Sequence, residues 1–149
     1  MRPFNLISQF LKDFSFNSPN TPELFFSQED SSAKIETNID IQVKGAKNNL
    51  YMVNLLVKLD SILDKNQQPI FSISIDYRGL VEIEHPDNDE IVKKTLMIDV
   101  PQFLFPYIHH LVLQISSDSG FPPYSMQPFD FEMLYKDKED NKSVDFFDI

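Results

Sequence analysis

The chain has 149 residues, with 13 Lys and Arg against 23 Asp and Glu, and therefore a formal net charge of −10. Its length is typical of one domain, and its 42% hydrophobic content is sufficient for a packed core. The absence of cysteine excludes disulfides, thiolate zinc sites and a cysteine nucleophile. Strong acidity disfavours duplex nucleic acid and anionic membranes as partners, and it favours a basic polypeptide.

The first half of the chain alternates apolar and polar residues with the period of two that is typical of half-buried β-strands. We predict strands over residues 4–16, 34–43, 50–62 and 71–83. The first strand is long enough to bend or bulge near Leu11, and Gly79 is the expected site of a bulge in the fourth. A simple alternation places the apolar residues of the first strand on one face: Phe4, Leu6, Phe10, Phe14 and Phe16.

Phenylalanine is unusually abundant, with 14 copies in the chain. Strand phenylalanines are normally core residues. The run Leu24-Phe25-Phe26, however, lies in a polar crossover between the first two strands. An aromatic surface that stays exposed there would indicate a binding patch or an oligomer interface.

The periodicity changes after the fourth strand. Residues 82–90 hold five acids, no base and one proline, which predicts a loop. Helical spacing then predicts a helix from Pro101, kinked at Pro106 and ended by Gly120. A short helix over 129–135 and a charged, flexible tail over 136–149 complete the chain. The predicted class is α+β, with a single domain over residues 1–135.

Candidate catalytic or metal-binding groups are few. His109 and His110 are adjacent and point about 100° apart on a helix, so they cannot bind one metal as an i, i+4 pair would. The acidic loop with His85 leaves a divalent-metal enzyme as a distant alternative. No glycine-rich phosphate loop or nucleophile elbow is present. We therefore expect no enzymatic activity, no metal and no cofactor.

The chain shows no export signal, and no apolar stretch approaches the roughly 18 residues that a membrane span needs. These patterns predict a cytoplasmic protein without direct membrane insertion.

Several motifs resemble one family. Leu104-Phe105-Pro106-Tyr107, Gly120-Phe121-Pro122 and the run 128–135 occur in the order found in the C-terminal half of SecB, the bacterial protein-export chaperone family. Residues 12–22 are similar to the first strand and turn of that family, and Gly79-Leu80-Val81 to the end of its fourth strand. The resemblance implies a four-stranded antiparallel sheet followed by two C-terminal helices, assembled as a tetramer that is a dimer of dimers.

The same resemblance implies an ATP-independent holdase that binds unfolded precursor proteins in the cytoplasm, keeps them translocation-competent and delivers them to the SecA motor. It assigns SecA docking to Asp13, while neutral Asn17 and Ser74 occupy other docking positions. It assigns the oligomer interface to an edge-exposed strand around Phe71, Ile73 and Ile75. It assigns client binding to seven residues: Phe10, Phe25, Ile35, Thr37, Ile39, Phe131 and Leu134.

The neutral residues at docking positions leave a second chaperone function open. The chain could serve a dedicated client, such as an antitoxin, instead of general export. The two functions differ in whether SecA is a partner.

Overall fold

A computed structural model describes residues 3–26, 32–45, 48–84, 88–140 and 146–148. The strands are β1 (Asn5–Asn17), β2 (Ala33–Gly45), β3 (Leu50–Leu63), β4 (Pro69–Glu82) and β5 (Phe146–Asp148). The helices are α1 (Glu23–Phe26), α2 (Asp89–Lys94), α3 (Val100–Asp118) and α4 (Phe131–Asp140). A π-helical turn, Thr95–Asp99, joins α2 to α3.

The sheet has the strand order β1-β4-β3-β2-β5. The first four strands in that order pair antiparallel, and β5 adds a short parallel pairing to β2. The four-stranded antiparallel sheet followed by C-terminal helices is thus confirmed. The prediction that the strand around Phe71, Ile73 and Ile75 is exposed at an edge is wrong, because β4 lies between β1 and β3.

In the described ranges, the helices pack on one face of the sheet. Helix α3 contacts β3 and β4. The buried side chains beneath it alternate along both strands, and they include Val53, Leu55, Val57 and Leu59 of β3 and Ile73, Ile75 and Val81 of β4. We call this side the helix-covered face. The opposite side, the helix-free face, carries the intervening residues, which are polar ones together with Leu50, Met52, Leu56 and Leu80. The core is therefore a single layer between sheet and helices.

Strand β1 contains two bulges, because its pairing with β4 skips Ile7 and Lys12. The predicted irregularity near Leu11 is confirmed. Each extra residue reverses the side-chain alternation, so Phe10 lies opposite Arg78 on the helix-free face, while Phe14 lies opposite Ile75 on the helix-covered face. The prediction that Phe10 shares a face with Phe14 is wrong for that reason.

Gly79 forms regular pairs with Gln9 and Val53, so the predicted bulge at this residue is wrong. The glycine instead permits close packing of α3 on the sheet. A Cβ atom at this position would lie 3.3 Å from both Leu104 methyl groups. The glycine in this strand does mark a special position, but the reason is the close approach of helix and sheet and not a bulge.

Helical structure begins earlier than predicted. Asn88 caps α2 by accepting a hydrogen bond from the Glu90 backbone N–H at 2.8 Å, so part of the predicted acidic loop is helical. The helical run continues through the π turn, where the Val100 N–H bonds to the Thr95 carbonyl. Pro101 follows directly, and its lack of an N–H is tolerated at the first turn of α3.

The continuous helical run from Asp89 to Asp118 has 30 residues and is long and apolar enough to cross a membrane by length and composition alone. Our expectation that no segment would pass this test is therefore wrong. Six residues of α3 itself are buried in the protein: Val100, Pro101, Leu104, Ile108, Val112 and Ser116. A core helix of a globular domain passes the same test.

Regular structure continues beyond residue 135 in the described part of the chain. Helix α4 extends to Asp140, and Phe146–Asp148 pairs with Val43–Gly45. The predicted boundary at 135 therefore falls inside α4, while the flexibility of the tail over 136–149 remains a prediction. Ahead of α4, the buried Ser116 hydroxyl anchors the connecting segment by accepting the Tyr124 backbone N–H at 2.9 Å.

Candidate functional site

An aromatic cluster joins the crossover to the core. The Phe25 ring lies 5.3 Å from the Phe121 ring, which lies 5.2 Å from the ring of Phe71. Phe16 stacks on Phe71 at 5.9 Å. Phe25 is nevertheless 52% exposed and Phe26 is 79% exposed. The crossover is thus anchored through one face of its aromatic side chains and leaves a large apolar area open to solvent.

The helix-covered face of β2 is buried unequally along its length. Ile41 and Val43 are buried, whereas Ile35 and Ile39 are half-buried and Thr37 is exposed. The short π turn is one of the helical segments that contact β2. The first half of β2 therefore presents an open, largely apolar strip.

The strip and the aromatic cluster lie at the same end of the sheet. Ile35 pairs with Ser61, and Ser61 pairs with Phe71, so the three residues form one row across three strands. We call the combined area the crossover surface; it consists of Phe25, Phe26, Phe121, Ile35, Thr37 and Ile39. Its aromatic and branched side chains can bind extended apolar segments without reading a defined sequence.

Acidic residues form a row on the helix-free face. Asp13 of β1 pairs with Asp76 of β4, Asp76 with Leu56 of β3, and Leu56 with Asp40 of β2. We call these four residues the acidic row. They line a shallow depression of about 370 Å³ together with Lys58 and Ser74. Three carboxylates on a nearly flat surface can attract a basic peptide segment.

The carboxylate of Asp76 in this row is partly compensated. Arg78 donates from Nε and Nη2 to the two carboxylate oxygens of Asp76, each at 3.0 Å. This hydrogen bonding raises the pKa of Arg78 above its ordinary value. Asp13 is exposed and remains available, as do the neutral Asn17 and Ser74 on the same face. Asp76 and Asp40 thus supply acidity close to the positions where docking acids were expected.

The structure separates the predicted client-binding residues. Phe25, Ile35, Thr37 and Ile39 belong to the crossover surface. Phe10 lies on the other face of the sheet, and Leu134 is half-buried on α4.

Two predicted roles are inconsistent with burial. Phe131 is only 3% exposed and packs on Phe105 and Phe129 with ring separations of 5.8 and 4.9 Å, so its side chain is closed to a client. Phe71, Ile73 and Ile75 are buried beneath the helices of their own protomer, and their side chains cannot contact a second chain.

No group of three or more His, Asp or Glu residues that could hold a metal occurs in the described ranges. His109 Nε2 lies 3.1 Å from the Ser125 hydroxyl, which links α3 to the following segment. His85, the histidine of the metal-enzyme alternative, lies outside the described residues.

Sequence reasoning noted Phe26 as part of the aromatic run in the crossover, but it assigned no site role to Phe26, Phe121, Asp40 or Asp76. Exposure of Phe26 follows from its position in a polar crossover, a signal that was visible. The acidic row required the cross-strand register, because its members are far apart in sequence and meet only through the pairing of four strands.

Comparison with known proteins identifies the class of this fold. Residues 1–142 match the family model for SecB, described as a preprotein translocase subunit. The protein-export protein SecB of Caulobacter sp. (strain K31) is 34% identical over 131 residues, which span 87% of this chain and 77% of the relative. SecB of Anaplasma marginale (strain Florida) is 29% identical over 163 residues, which span 96% of this chain and 92% of the relative.

A solved structure agrees in fold. A SecB-like chaperone of Mycobacterium tuberculosis, in complex with a peptide from an antitoxin, superposes with a TM-score of 0.71. The match covers 86% of this chain and 91% of that chain, at 12% sequence identity.

The chain therefore belongs to the SecB family of protein-export chaperones. It is a divergent member, and the family is non-enzymatic. Membership implies binding of unfolded client proteins.

Proposed function

We propose that this protein is an ATP-independent holdase that binds unfolded precursors in the cytoplasm, keeps them translocation-competent and delivers them to SecA. The observation that carries the proposal is the division of one sheet into two interaction areas. The crossover surface is apolar and open, and the acidic row lies on the opposite face. Client binding and docking can therefore occur at the same time.

Client binding at the crossover surface follows from the hydrophobic effect. Unfolded precursors expose apolar and aromatic segments, and sheltering one large side chain contributes roughly 1.5–3 kcal/mol. Phe25 and Phe26 offer rings that are more than half exposed, so little rearrangement is needed before contact. Several weak contacts along one client add through high local concentration.

Docking on SecA is electrostatic in this proposal. Asp13, Asp76 and Asp40 lie on one face and attract a basic segment of the motor. Such attraction between exposed charges weakens with salt, because the Debye length is about 8 Å at physiological ionic strength. Delivery therefore depends on salt more strongly than client binding does.

A homotetramer, built as a dimer of dimers, is the proposed assembly. Strand β1 is an edge of the sheet in the part of the chain that the structure describes, and α3 carries the exposed Tyr107. An apolar cleft of about 230 Å³ lies between them, lined in part by Leu11, Phe14 and Leu111. We therefore propose β1 and α3 as the assembly surface, in place of the strand around Phe71, Ile73 and Ile75.

The proposal is tested with two variants that separate its parts. Phe26→Ser removes the most exposed ring of the crossover surface, and we expect it to weaken suppression of aggregation of a denatured precursor several-fold without nucleotide. Asp13→Asn combined with Asp40→Asn removes two of the three carboxylates of the acidic row, and we expect it to weaken SecA binding while suppression is unchanged. Absence of suppression by the parent protein at stoichiometric tetramer would contradict the proposal.

A dedicated antitoxin chaperone is the second candidate. The observation that favours it is the fold match to a SecB-like chaperone bound to an antitoxin peptide. The export relatives share 29–34% of residues with this chain, against 12% for that chaperone, which favours export. Recovery of an antitoxin without SecA in a pull-down with the full chain would favour the second candidate.

A further inference from the structure

We propose that the outer edge of β2 is a strand-addition site for an extended client segment, and that Phe146–Asp148 of the same chain occupies the end of this site until a client displaces it. This inference rests on the proposed holdase function. It adds a backbone component to client binding, which the crossover surface alone does not supply.

The two edges of the antiparallel sheet differ in regularity. Strand β1 has two bulges over its 13 residues, which interrupt the even spacing of its backbone groups. Strand β2 also has 13 residues, but it pairs with β3 from Ala33 to Gly45 without a register shift. It contains no proline. A long, regular edge is a template for another strand, whereas bulges protect an edge from such pairing.

The β2 edge already accepts a strand. Val43, Lys44 and Gly45 pair in parallel with Phe146, Phe147 and Asp148. Along Ala33–Ile39, the described part of the chain places no strand on the outer side of β2. In the described residues, one end of the edge is therefore filled by a segment of three residues. A longer partner gains ladder hydrogen bonds over the open part that this short segment cannot make.

The open part of the edge coincides with the crossover surface. Ile35, Thr37 and Ile39 lie on the helix-covered side of β2, while Lys34, Glu36 and Asn38 lie on the other side. Neighbouring strands lie about 4.8 Å apart, so every second side chain of an added strand would contact the apolar strip. The favoured occupant is thus an extended segment with apolar residues at alternate positions.

The C-terminal segment and a client compete wherever the client reaches Val43–Gly45. Binding a client then requires that the intramolecular pairing be released, which lowers the apparent affinity by the fraction of molecules in which the edge end is open. Removal of the segment removes this competition. The C-terminal segment does not block the site permanently, because a three-residue pairing is readily displaced by a longer one.

The test uses a synthetic eight-residue peptide with alternating valine and serine, and a version of it that is N-methylated at the amides of one edge. N-methylation removes backbone donors but keeps the side chains. We expect the methylated peptide to bind the full chain on the order of tenfold more weakly, as expected for the loss of a few ladder hydrogen bonds. Equal binding of the two peptides would overturn the strand-addition site.

A second comparison tests the built-in occupant. The chain that ends at Asp140 should bind the unmethylated peptide several-fold more tightly than the full chain. Phe147→Pro, which removes a backbone N–H, should act in the same direction in the full chain, and Phe147→Ala, which keeps it, is the matched control. Unchanged affinity after truncation shows that Phe146–Asp148 does not compete, and it overturns this part of the proposal.

Suppression of precursor aggregation is measured on the same preparations. If suppression is normal and methylation of the peptide has no effect on binding, only the proposed strand-addition site is contradicted, and the holdase function is not. If the parent protein shows no suppression, the holdase function fails independently of the edge.

Discussion

The two faces of the sheet differ although the same backbone builds both. Leu55 and Leu56 are adjacent in β3, yet Leu55 is fully buried beneath the helices and Leu56 is partly exposed between Asp76 and Asp40. The helix-covered face carries the stability of the domain, and its open end forms the crossover surface. The helix-free face carries the acidic row together with partly buried leucines such as Leu56. A period of two thus places a buried leucine and a residue of the acidic row on opposite sides of one strand.

The largest expected effect contrasts these adjacent leucines. Leu55→Ala should lower the free energy of unfolding by about 3–5 kcal/mol, because it leaves a cavity that the rigid core cannot close. Leu56→Ala removes the same atoms from a partly solvated position and should cost less than about 1.5 kcal/mol. Urea denaturation of both variants gives the comparison, and equal losses would contradict the assignment of the two faces.

An intermediate effect is expected where the helices meet the crossover. Gly120 has φ of 89°, and a Cβ atom there would lie 3.2 Å from the Phe25 ring. Gly120→Ala should therefore cost on the order of 1–2 kcal/mol, from backbone strain in the left-handed region. It should also weaken client binding by displacing Phe25. The control is Ser119→Ala at the adjacent position, which should leave client binding unchanged. If the Gly120→Ala and Ser119→Ala variants bind client equally well, the predicted displacement of Phe25 is contradicted.

The smallest effect on stability is expected on the helix-free face. Asp76→Asn weakens the ion pair with Arg78, whose two groups are only partly buried. Pairs of this kind contribute roughly 0–1 kcal/mol, so the thermal midpoint should change little. SecA binding at low salt should decrease nonetheless. A large loss of stability with unchanged SecA binding would contradict the assignment of docking to this face.

Local sequence patterns predicted the individual strands and helices better than their positions relative to one another. Alternation identified β2, β3 and β4 because half-buried strands require it, and it located the irregularity near Leu11. It could not show that a second bulge at Ile7 and the one at Lys12 place Phe10 on the helix-free face, since one extra residue leaves little trace in composition. The helix start at Asp89 was hidden because Pro101 resembles a first-turn proline, and the π turn ahead of it has no sequence signature that we used.

The candidate site was predictable to a similar degree. Phe25, Ile35, Thr37 and Ile39 were predicted as client contacts, and all four lie in the crossover surface, but that role remains a prediction. The strand that carries Phe71, Ile73 and Ile75 was wrongly predicted to be an edge strand. β4 is the last long strand of the chain, but its pairing with β1 places it inside the sheet. Strand order is a long-range property, and a single sequence holds little direct information about it.

The register of β1 on β4 has one further consequence. It places the Asp13 and Asp76 carboxylates directly opposite each other, and like charges in that relation destabilise a strand pair. Arg78 relieves this repulsion for Asp76 only in part. A cationic segment bound across the two strands would complete the neutralisation and strengthen the pairing of β1 with the rest of the sheet. Occupancy by the motor would then raise the melting temperature of the chaperone itself, and arrival at the translocase would tighten the strand at the proposed assembly edge.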